Sequence, residues 1–310
     1  MSSVKDEIIV DKNKVTISNR DKIFWPEEGF TKGDVIDYYN RISPYILPHL
    51  KERALSLKRN PNGIADRGFY HKDAGENAPG YVSVFKVKNE SKKGEMIDYI
   101  VCNNKATLLY LANLGCIEMN PWNSMRKTPD KPTWMVIDID PAPQNKFSEV
   151  VDVALAVKEI LDSLQVTSYC KTSGSSGLHV YSPLKNKFDY KDVKELAHGV
   201  ASVVQQQLPE TTTLERSLSK RGPRIYIDYL QNAAGQTLAS VYSIRPVPGA
   251  YVSAPLEWKE VNHDLSPSNF TIRNIFERVE NKGDLFKEVL NGTTNVRKAM
   301  KMLDEKYGMG

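Results

Sequence analysis

The sequence predicts an α+β protein, with a mixed α/β module at residues 1–130 followed by a small sheet with helices on one face at residues 131–310. From about residue 133 the apolar pattern reads strand, helix, strand, strand, helix, strand, an order that suits such a sheet. Residues 148–164 and 190–208 repeat apolar side chains at helical spacing. No Pro/Gly-rich linker separates the modules, so we expect the 310 residues to fold cooperatively as one domain with a cleft.

Local signals predict the elements of the first module. A helix begins after Thr31, where Asp34 completes a capping box. Pro44 and Pro48 are expected to make its later part irregular. The other predicted elements are short strands within 1–20, a strand at 53–60, strands at 80–88 and 96–101 joined by a polar loop at 89–95, and a helix at 104–114 capped by Gly115.

The second module is predicted from the same kinds of pattern. Its two helices carry apolar residues along one face, and the segments between them are short and apolar. Further helices are expected to close the C-terminus. The predicted strands are 133–140, 166–172, 178–183 and 223–230.

Composition excludes several classes of protein. The net charge is +4, with 42 basic and 38 acidic residues, which permits a polyanionic partner. The three cysteines form no CxxC pair, so we expect buried, reduced thiols rather than disulfides or a zinc site. No apolar run approaches the roughly 20 residues that span a membrane. The N-terminus lacks a signal-peptide core, and we expect a cytoplasmic protein without membrane contact.

Two aspartates share one face at the end of an apolar strand. Residues 134–141 read Trp-Met-Val-Ile-Asp-Ile-Asp-Pro, and side chains alternate along a strand, so Asp138 and Asp140 lie opposite the apolar set. Asp228 ends a second strand of the same kind. Two negatively charged carboxylates beside an apolar core are costly unless a cation balances their charge, and oxygen ligands suit Mg²⁺ or Mn²⁺. We therefore predict a two-metal site. The alternative is that the paired aspartates only cap a turn.

A Ser/Gly loop precedes a histidine. Residues 172–180 read Thr-Ser-Gly-Ser-Ser-Gly-Leu-His-Val, and glycines among hydroxyl residues between two strands are typical of a turn whose outward amides bind phosphate. Ser173, Ser175 and Ser176 add hydroxyl donors, and His179 is placed to donate to a triphosphate oxygen. The alternative is a flexible hairpin followed by a core histidine.

Cationic residues cluster near the predicted metal site. Four of them lie within residues 216–224, just before Asp228, and Arg245 follows. Such a cluster suits a triphosphate and a leaving pyrophosphate. The alternative is a solvated loop, which fits Arg216 better than Arg224.

Adjacent aromatic residues in the first module suit a base-stacking platform. Phe69 and Tyr70 are flanked by glycine and cations, and Lys58 and Arg59 precede them. Neighbouring residues of a strand cannot both face the core, so at least one ring is expected to be exposed. The alternative is one core ring and one edge ring.

Three of these motifs together resemble the archaeo-eukaryotic primase superfamily, most of all the polymerase domain of bacterial ligase D and its stand-alone archaeal relatives in non-homologous end joining. The resemblance covers nearly the whole chain. It implies a primase-polymerase fold in which the mixed α/β module packs on an RRM-like antiparallel sheet, with a catalytic cleft between them. The motifs are 138–141 (Asp-Ile-Asp-Pro), 172–179 around Ser173 and His179, and 224–232 (Arg-Ile-Tyr-Ile-Asp-Tyr-Leu-Gln-Asn).

The resemblance also implies roles for single residues. Asp138, Asp140 and Asp228 would be catalytic and hold two divalent cations, commonly Mn²⁺. The implied nucleotide-binding residues are Ser173, Gly174, Ser176, His179, Arg245, Lys58 and Asn120. The residues implied to bind DNA and its 5′-phosphate are Asn19, Lys22, Lys32, Phe69 and Arg59. The family adds NTP or dNTP, often preferring ribonucleotides, at gaps or broken ends.

Two positions depart from the family pattern. Asn120 stands where relatives often carry histidine, and Ser176 stands where many carry lysine. The first departure bears on sugar preference, and the second removes one cation from the phosphate loop. Ligase and phosphoesterase domains are not in the sequence, so a separate DNA ligase and a Ku-type end-binding protein are expected as partners. The bound protein is expected at the nucleoid of a prokaryotic cell.

Two rival functions use part of the same residues. A two-metal nuclease needs the aspartates but has no use for a triphosphate loop or Arg245. A non-catalytic DNA-end binder gains nothing from carboxylates that face phosphates.

Overall fold

The computed structural model describes residues 5–88 and 94–308. The chain divides into two compact units. The first comprises Met1–Trp122, Thr237–Ser253 and Thr271–Arg278, and the second comprises Asn123–Gln236, Ala254–Phe270 and Val279–Gly310. The sequence suggested a boundary near residue 130, whereas two later segments also belong to the first unit.

The first unit is built from small antiparallel sheets and two helices. The predicted capping box at Thr31 and Asp34 is confirmed, and Gly115 follows the second helix with a positive φ of 77°. The predicted polar loop at 89–95 lies mostly outside the described residues. The elements are β1 (Lys5–Val10), β2 (Asn13–Ser18), β3 (Ile23–Trp25), β4 (Phe30–Thr31), α1 (Lys32–Leu50), β5 (Leu55–Arg59), β6 (Phe69–His71), β7 (Ser83–Lys88), β8 (Met96–Val101), α2 (Lys105–Asn113) and β9 (Cys116–Pro121).

The prolines of α1 do not interrupt it. The helix runs continuously to Leu50 through Pro44 and Pro48, so the predicted irregularity is wrong. Proline removes the N–H that would bond the carbonyl four residues earlier. The Ser43 hydroxyl donates to the Asn40 carbonyl instead, at 2.9 Å. This bond satisfies the acceptor that Pro44 leaves open, and the helix continues.

The second unit confirms the predicted sheet with helices on one face. Among the described residues its strands form one six-stranded sheet in the order β13-β14-β10-β12-β11-β15, antiparallel except for β13 and β14. The elements are β10 (Trp134–Asp140), α3 (Phe147–Ser163), β11 (Tyr169–Thr172), β12 (Leu178–Pro183), α4 (Tyr190–Gln207), β13 (Thr212–Thr213), α5 (Leu218–Arg221), β14 (Ile225–Asp228), β15 (Pro255–Leu256), α6 (Ile275–Lys282), which begins in the first unit, and α7 (Val296–Tyr307).

One face of the central strand β10 is apolar throughout, and the other carries Trp134 and Val136 followed by the two aspartates. Met135, Ile137 and Ile139 are buried in a core shared with α3 and α4. Burying each such side chain contributes about 1.5–3 kcal/mol. A slip of one residue would reverse both faces. The core therefore fixes the register that turns Asp138 and Asp140 to the opposite side.

Two expectations from composition can be compared with the fold. Each of the three cysteines, Cys102, Cys116 and Cys170, is a buried free thiol, as predicted. In the part of the chain that the structure describes, no helix has the length and apolar character needed to cross a membrane.

Candidate active site

The three predicted aspartates meet on the central strands of the six-stranded sheet. Asp138 on β10 lies directly opposite Asp228 on β14 and opposite His179 on β12. Asp140 lies two residues further along β10, on the same face. Residues that oppose each other in antiparallel strands have Cβ atoms about 4.5–5.5 Å apart. The structure thus brings Asp228 of β14 beside the two aspartates of β10.

These carboxylates repel one another. Burial raises the pKa of Asp228, and the charge of Asp138 raises it further. Burial and Asp138 also raise the pKa of Asp140, against the opposing effect of Arg221. Divalent cations relieve this repulsion, and hard oxygen ligands suit Mg²⁺ or Mn²⁺. The donor set therefore fits the cations that the sequence predicted.

Neighbouring groups hold Asp228 in one orientation. Its Oδ1 accepts hydrogen bonds from the Leu230 amide at 2.8 Å and from the Tyr226 hydroxyl at 3.1 Å. Its Oδ2 accepts from Gln231 Nε2 at 2.9 Å. The sequence contained Gln231 within a motif but assigned it no role. A local signal was present, because residues two and three positions after an aspartate at a strand end fold back onto it.

Arg221 occupies one side of Asp140. Its Nη1 lies 3.0 Å from Asp140 Oδ2, and its guanidinium stacks 4.0 Å from the centre of the Tyr226 ring. The sequence assigned the cationic segment 216–224 to a triphosphate, whereas Arg221 of that segment is paired with a carboxylate. Among the described residues, no three carboxylate, imidazole or thiol groups are already arranged around a common point. A cation bound through Asp140 Oδ2 would compete with Arg221 for that oxygen.

The phosphate loop has a different shape from the one predicted. The Ser173 hydroxyl oxygen accepts hydrogen bonds from the amides of Ser175 at 3.1 Å and Gly177 at 3.0 Å. These two amides therefore point inward, and the prediction that the loop's amides face outward is wrong for them. Gly174 has a φ of 72°, which favours glycine. The exposed Ser176 hydroxyl remains as a donor on the loop surface.

Close packing ties this loop to the metal strand. A Cβ atom on Gly177 would lie 2.2 Å from the backbone oxygen of Ile139, the residue between the two aspartates of β10. Glycine is required here because any side chain would push the strands apart. The loop and the aspartates therefore hold one another in place.

His179 is buried but lies beside the carboxylates. It is 2% exposed, and its Nε2 is 3.3 Å from Asp138 Oδ1. Its Nδ1 lies 2.8 Å from the Nζ of Lys171, a residue that the sequence did not single out. Both alternatives raised by the sequence therefore apply to His179: it is a buried core residue, and it contacts an aspartate of the candidate site.

Two predicted nucleotide-binding residues share one sheet face of the first unit, and a third, Arg245, contacts the same face through Glu118. Lys58 on β5 lies opposite Glu118 on β9, and Asn120 follows on the same face. Arg245 Nε donates to Glu118 Oε2 at 2.6 Å. The buried Asn120 amide nitrogen finds no hydrogen-bond partner among the described residues. Glu118 is a functional candidate that the sequence missed, because its partner Arg245 is distant along the chain.

The predicted 5′-phosphate residues meet at the start of α1. The Lys32 amide donates to the Lys22 carbonyl at 2.8 Å, and the Lys22 amide donates to the Asn19 carbonyl at 3.1 Å. The Lys32 ammonium donates to the Ser18 carbonyl at 2.6 Å. Burial, with a smaller effect of the Lys22 charge, lowers the pKa of Lys32 to about 8. A helix N-terminus with two lysines suits one phosphate.

Both aromatic rings of the predicted stacking platform are exposed. Phe69 is 49% exposed and Tyr70 is 62% exposed. The Arg59 guanidinium lies 5.3 Å from the centre of the Phe69 ring and is anchored by a 3.1 Å bond from its Nε to the Leu114 carbonyl. The alternative of one core ring is therefore wrong, since neither ring is buried.

Known proteins resemble the chain over most of its length. The family model of the LigD primase-polymerase domain matches residues 31–286. The chain is 34% identical over 272 residues to the bifunctional non-homologous end joining protein LigD of Bacillus subtilis, covering 87% of the chain and 43% of that protein. It is 29% identical over 274 residues to the multifunctional LigD of Mycolicibacterium smegmatis, covering 88% of the chain and 35% of that protein.

A solved structure has the same fold. The polymerase domain of Mycobacterium tuberculosis ligase D in complex with DNA superposes with a TM-score of 0.82 at 26% identity, covering 90% of this chain and 99% of that one. The family model and the shared fold identify a nucleotidyltransferase of the polymerase type. The chain belongs to the LigD primase-polymerase domain family. It spans less than half the length of the two LigD proteins.

Proposed function

We propose that the protein is a template-directed polymerase that adds nucleotides, preferentially ribonucleotides, at 5′-phosphorylated gaps or broken DNA ends during non-homologous end joining. The observation that carries this proposal is the placement of Asp138 opposite Asp228, with Asp140 on the same face. The names of the LigD relatives support the end-joining context. A separate DNA ligase and a Ku-type end-binding protein would complete the repair.

The aspartates would hold two divalent cations, Mn²⁺ or Mg²⁺. Such ions activate a primer 3′-hydroxyl and stabilise the leaving pyrophosphate. The chain contributes orientation, since Leu230, Tyr226 and Gln231 fix the Asp228 carboxylate. If Arg221 released Asp140, its guanidinium would become available to the triphosphate. The same arginine would then pair with Asp140 in the free protein and bind phosphate when the nucleotide is present.

The triphosphate would be bound by hydroxyl, imidazole and cationic donors. Ser176 presents an exposed hydroxyl on the loop, and His179 lies beside Asp138. Taken by itself, the first unit offers a second set of phosphate-binding groups, since Arg245 and Lys58 flank Glu118 and Asn120 adds its amide nitrogen. Arginine and lysine are the side chains best suited to phosphate oxygens. No protein nucleophile is required.

Primer extension tests the proposal and separates its rivals. A labelled primer on a 5′-phosphorylated gap, with Mn²⁺ and either NTP or dNTP, should lengthen, and more with NTP. Shortening of the primer would instead identify a nuclease. Binding to the gap without any change in primer length would identify a DNA-end binder.

Replacing both Lys22 and Lys32 by alanine is expected to weaken binding to a 5′-phosphorylated gap more than to an unphosphorylated one, by about 10-fold or more. Each charge-assisted contact contributes about 1.5–3 kcal/mol.

Because the pKa of Lys32 is about 8, its charge is present below that pH and lost above it. The preference of the native protein for the phosphate should therefore fall as the pH rises through about 8. Fluorescence anisotropy with both gap substrates measures these affinities.

Lys51→Ala provides a matched control for the lysine pair. Lys51 is exposed at the opposite end of α1, about 28 Å from the helix start at 1.5 Å per residue. It should leave the phosphate preference unchanged. Equal losses of affinity on both gaps in the double variant would contradict the assignment.

Phe69→Ala is expected to weaken binding to a template with unpaired bases by about 1–3 kcal/mol, because an unpaired base would lose the exposed ring on which it stacks. A blunt duplex has no unpaired base to stack, so the variant should bind it with the same affinity as the native protein. Ile9→Ala, at a side chain that is 72% exposed in the same unit, is the control. An unchanged affinity of Phe69→Ala for the unpaired template would remove Phe69 from the DNA surface.

A further inference from the structure

Four polar residues form a row across four adjacent strands of the second unit. Lys171 on β11 lies opposite His179 on β12, His179 opposite Asp138 on β10, and Asp138 opposite Asp228 on β14. The row therefore runs from a cation, through an imidazole, to two carboxylates. The proposed catalytic chemistry accounts for the aspartates and His179 but gives no role to Lys171.

The Lys171–His179 end of this row is buried. Lys171 is 0% exposed, and its Nζ lies 2.8 Å from His179 Nδ1. The other ring nitrogen, Nε2, lies 3.3 Å from Asp138 Oδ1. The Lys171 ammonium also faces the Tyr181 ring at 5.5 Å, a contact that favours a cation. The imidazole is thus held between a cation on one side and a carboxylate on the other.

This geometry selects one placement of the imidazole hydrogen. If the lysine ammonium donates to Nδ1, that nitrogen must accept, and the ring hydrogen resides on Nε2. If a charged imidazole donates to a neutral amine, Nε2 again carries a hydrogen. The remaining arrangement, with hydrogen on Nδ1 alone, would turn the Nε2 lone pair toward the Asp138 carboxylate. Both favourable arrangements therefore present Nε2–H to Asp138.

We propose that Lys171 is a positioning residue that keeps the hydrogen of His179 on Nε2 and, through it, orients the Asp138 carboxylate. The contact of Oδ1 with the imidazole restricts rotation of the Asp138 carboxylate. Groups that orient a ligating carboxylate in this way change metal affinity or activity by about 10–100-fold when removed. The catalytic consequence rests on the proposed function, whereas the position of the imidazole hydrogen does not.

Nitrogen-15 NMR of histidine-labelled protein, recorded without metal or nucleotide, tests the positioning directly. The chain has five histidines, and a His179→Gln sample identifies the signals of His179. The native protein should show hydrogen on Nε2 and a bare Nδ1 that accepts a hydrogen bond. Lys171→Met, which keeps the length of the side chain but removes the donor to Nδ1, should allow hydrogen to appear on Nδ1, and Lys171→Arg should retain the native form. An unchanged His179 spectrum in Lys171→Met would overturn the proposal.

Kinetics on the gapped primer provide a second test. Lys171→Met should lower kcat about 10–100-fold with less than about a 3-fold change in nucleotide KM, and Lys171→Arg should recover most of the loss. In a His179→Gln background, Lys171→Met should cause little additional loss, because the two residues act as one unit. Equal losses in both backgrounds would show that Lys171 acts independently of His179 and would contradict the proposal.

Two further samples keep the test decisive. Lys191→Met, at an exposed position of α4, controls for loss of a lysine charge. If Lys171→Met does not fold by circular dichroism, Lys171→Gln replaces it, since an amide still fills the site but carries no charge. If the native protein incorporates no nucleotide, the proposed function fails, while the NMR result still decides the role of Lys171.

Discussion

Asp228→Ala is expected to abolish nucleotide incorporation, by about three orders of magnitude or more, while gapped DNA still binds. Asp228 faces Asp138 across the strands, and three hydrogen bonds fix the orientation of its carboxylate. A carboxylate that positions a catalytic cation stabilises the transition state by several kcal/mol. A loss of about 4 kcal/mol corresponds to about a thousandfold in rate. Primer extension measures the rate, and anisotropy measures DNA binding.

Two companion variants sharpen this result. Asp228→Asn keeps the shape of the side chain and an oxygen for the Leu230 amide, so an equal loss would show that the charge is what matters. Asp152→Ala removes an exposed carboxylate of α3 in the same unit and should have little effect. Extension by Asp228→Ala at a near-native rate would show that the site is assigned wrongly.

Gly177→Ala is expected to lower both stability and incorporation. The added methyl group would lie 2.2 Å from the Ile139 carbonyl oxygen, so the loop or β10 must shift. Overpacking of this kind destabilises a protein by about 1–3 kcal/mol. A displacement of about 1 Å at reacting groups lowers rates by about a hundredfold. Thermal unfolding and primer extension on the same sample would measure the two effects.

Gly80→Ala is the matched control for this change. A Cβ atom added to Gly80 would meet no atom of the described residues within 4 Å, and the backbone there lies outside the left-handed region. Its alanine variant should keep native stability and activity. A Gly177→Ala protein with unchanged unfolding temperature and activity would show that the loop and β10 do not depend on each other.

The fold was predictable where the signal was local. The apolar strand segment 134–139 and the apolar residues that recur at helical spacing along 148–164 must face a core, so the sheet and helices of the second unit followed from these patterns. Strand β9 was missed because its Glu118 and Asn120 are polar yet buried. The return of residues 237–253 to the first unit depends on contacts such as the bond from the Ser240 amide to the Met119 carbonyl. Such long-range bonds leave no trace in local spacing.

The sequence by itself determined which residue types stand at the candidate site. Side-chain alternation and the apolar face of β10 required Asp138 and Asp140 to share the opposite face, and the same reasoning supplied Asp228. The placement of Lys22 and Lys32 as phosphate ligands came from resemblance, and they do meet at the start of α1.

Only the tertiary structure decided which groups face these aspartates. Strand order and register place the Lys171–His179 pair against Asp138, while the turn before β14 brings Arg221 to Asp140. The same is true of the Ser173 hydroxyl, which turns two loop amides inward. Spacing along a chain specifies the face on which a side chain lies. The partner across the sheet is set by which strands become neighbours, and that is decided when the whole core packs.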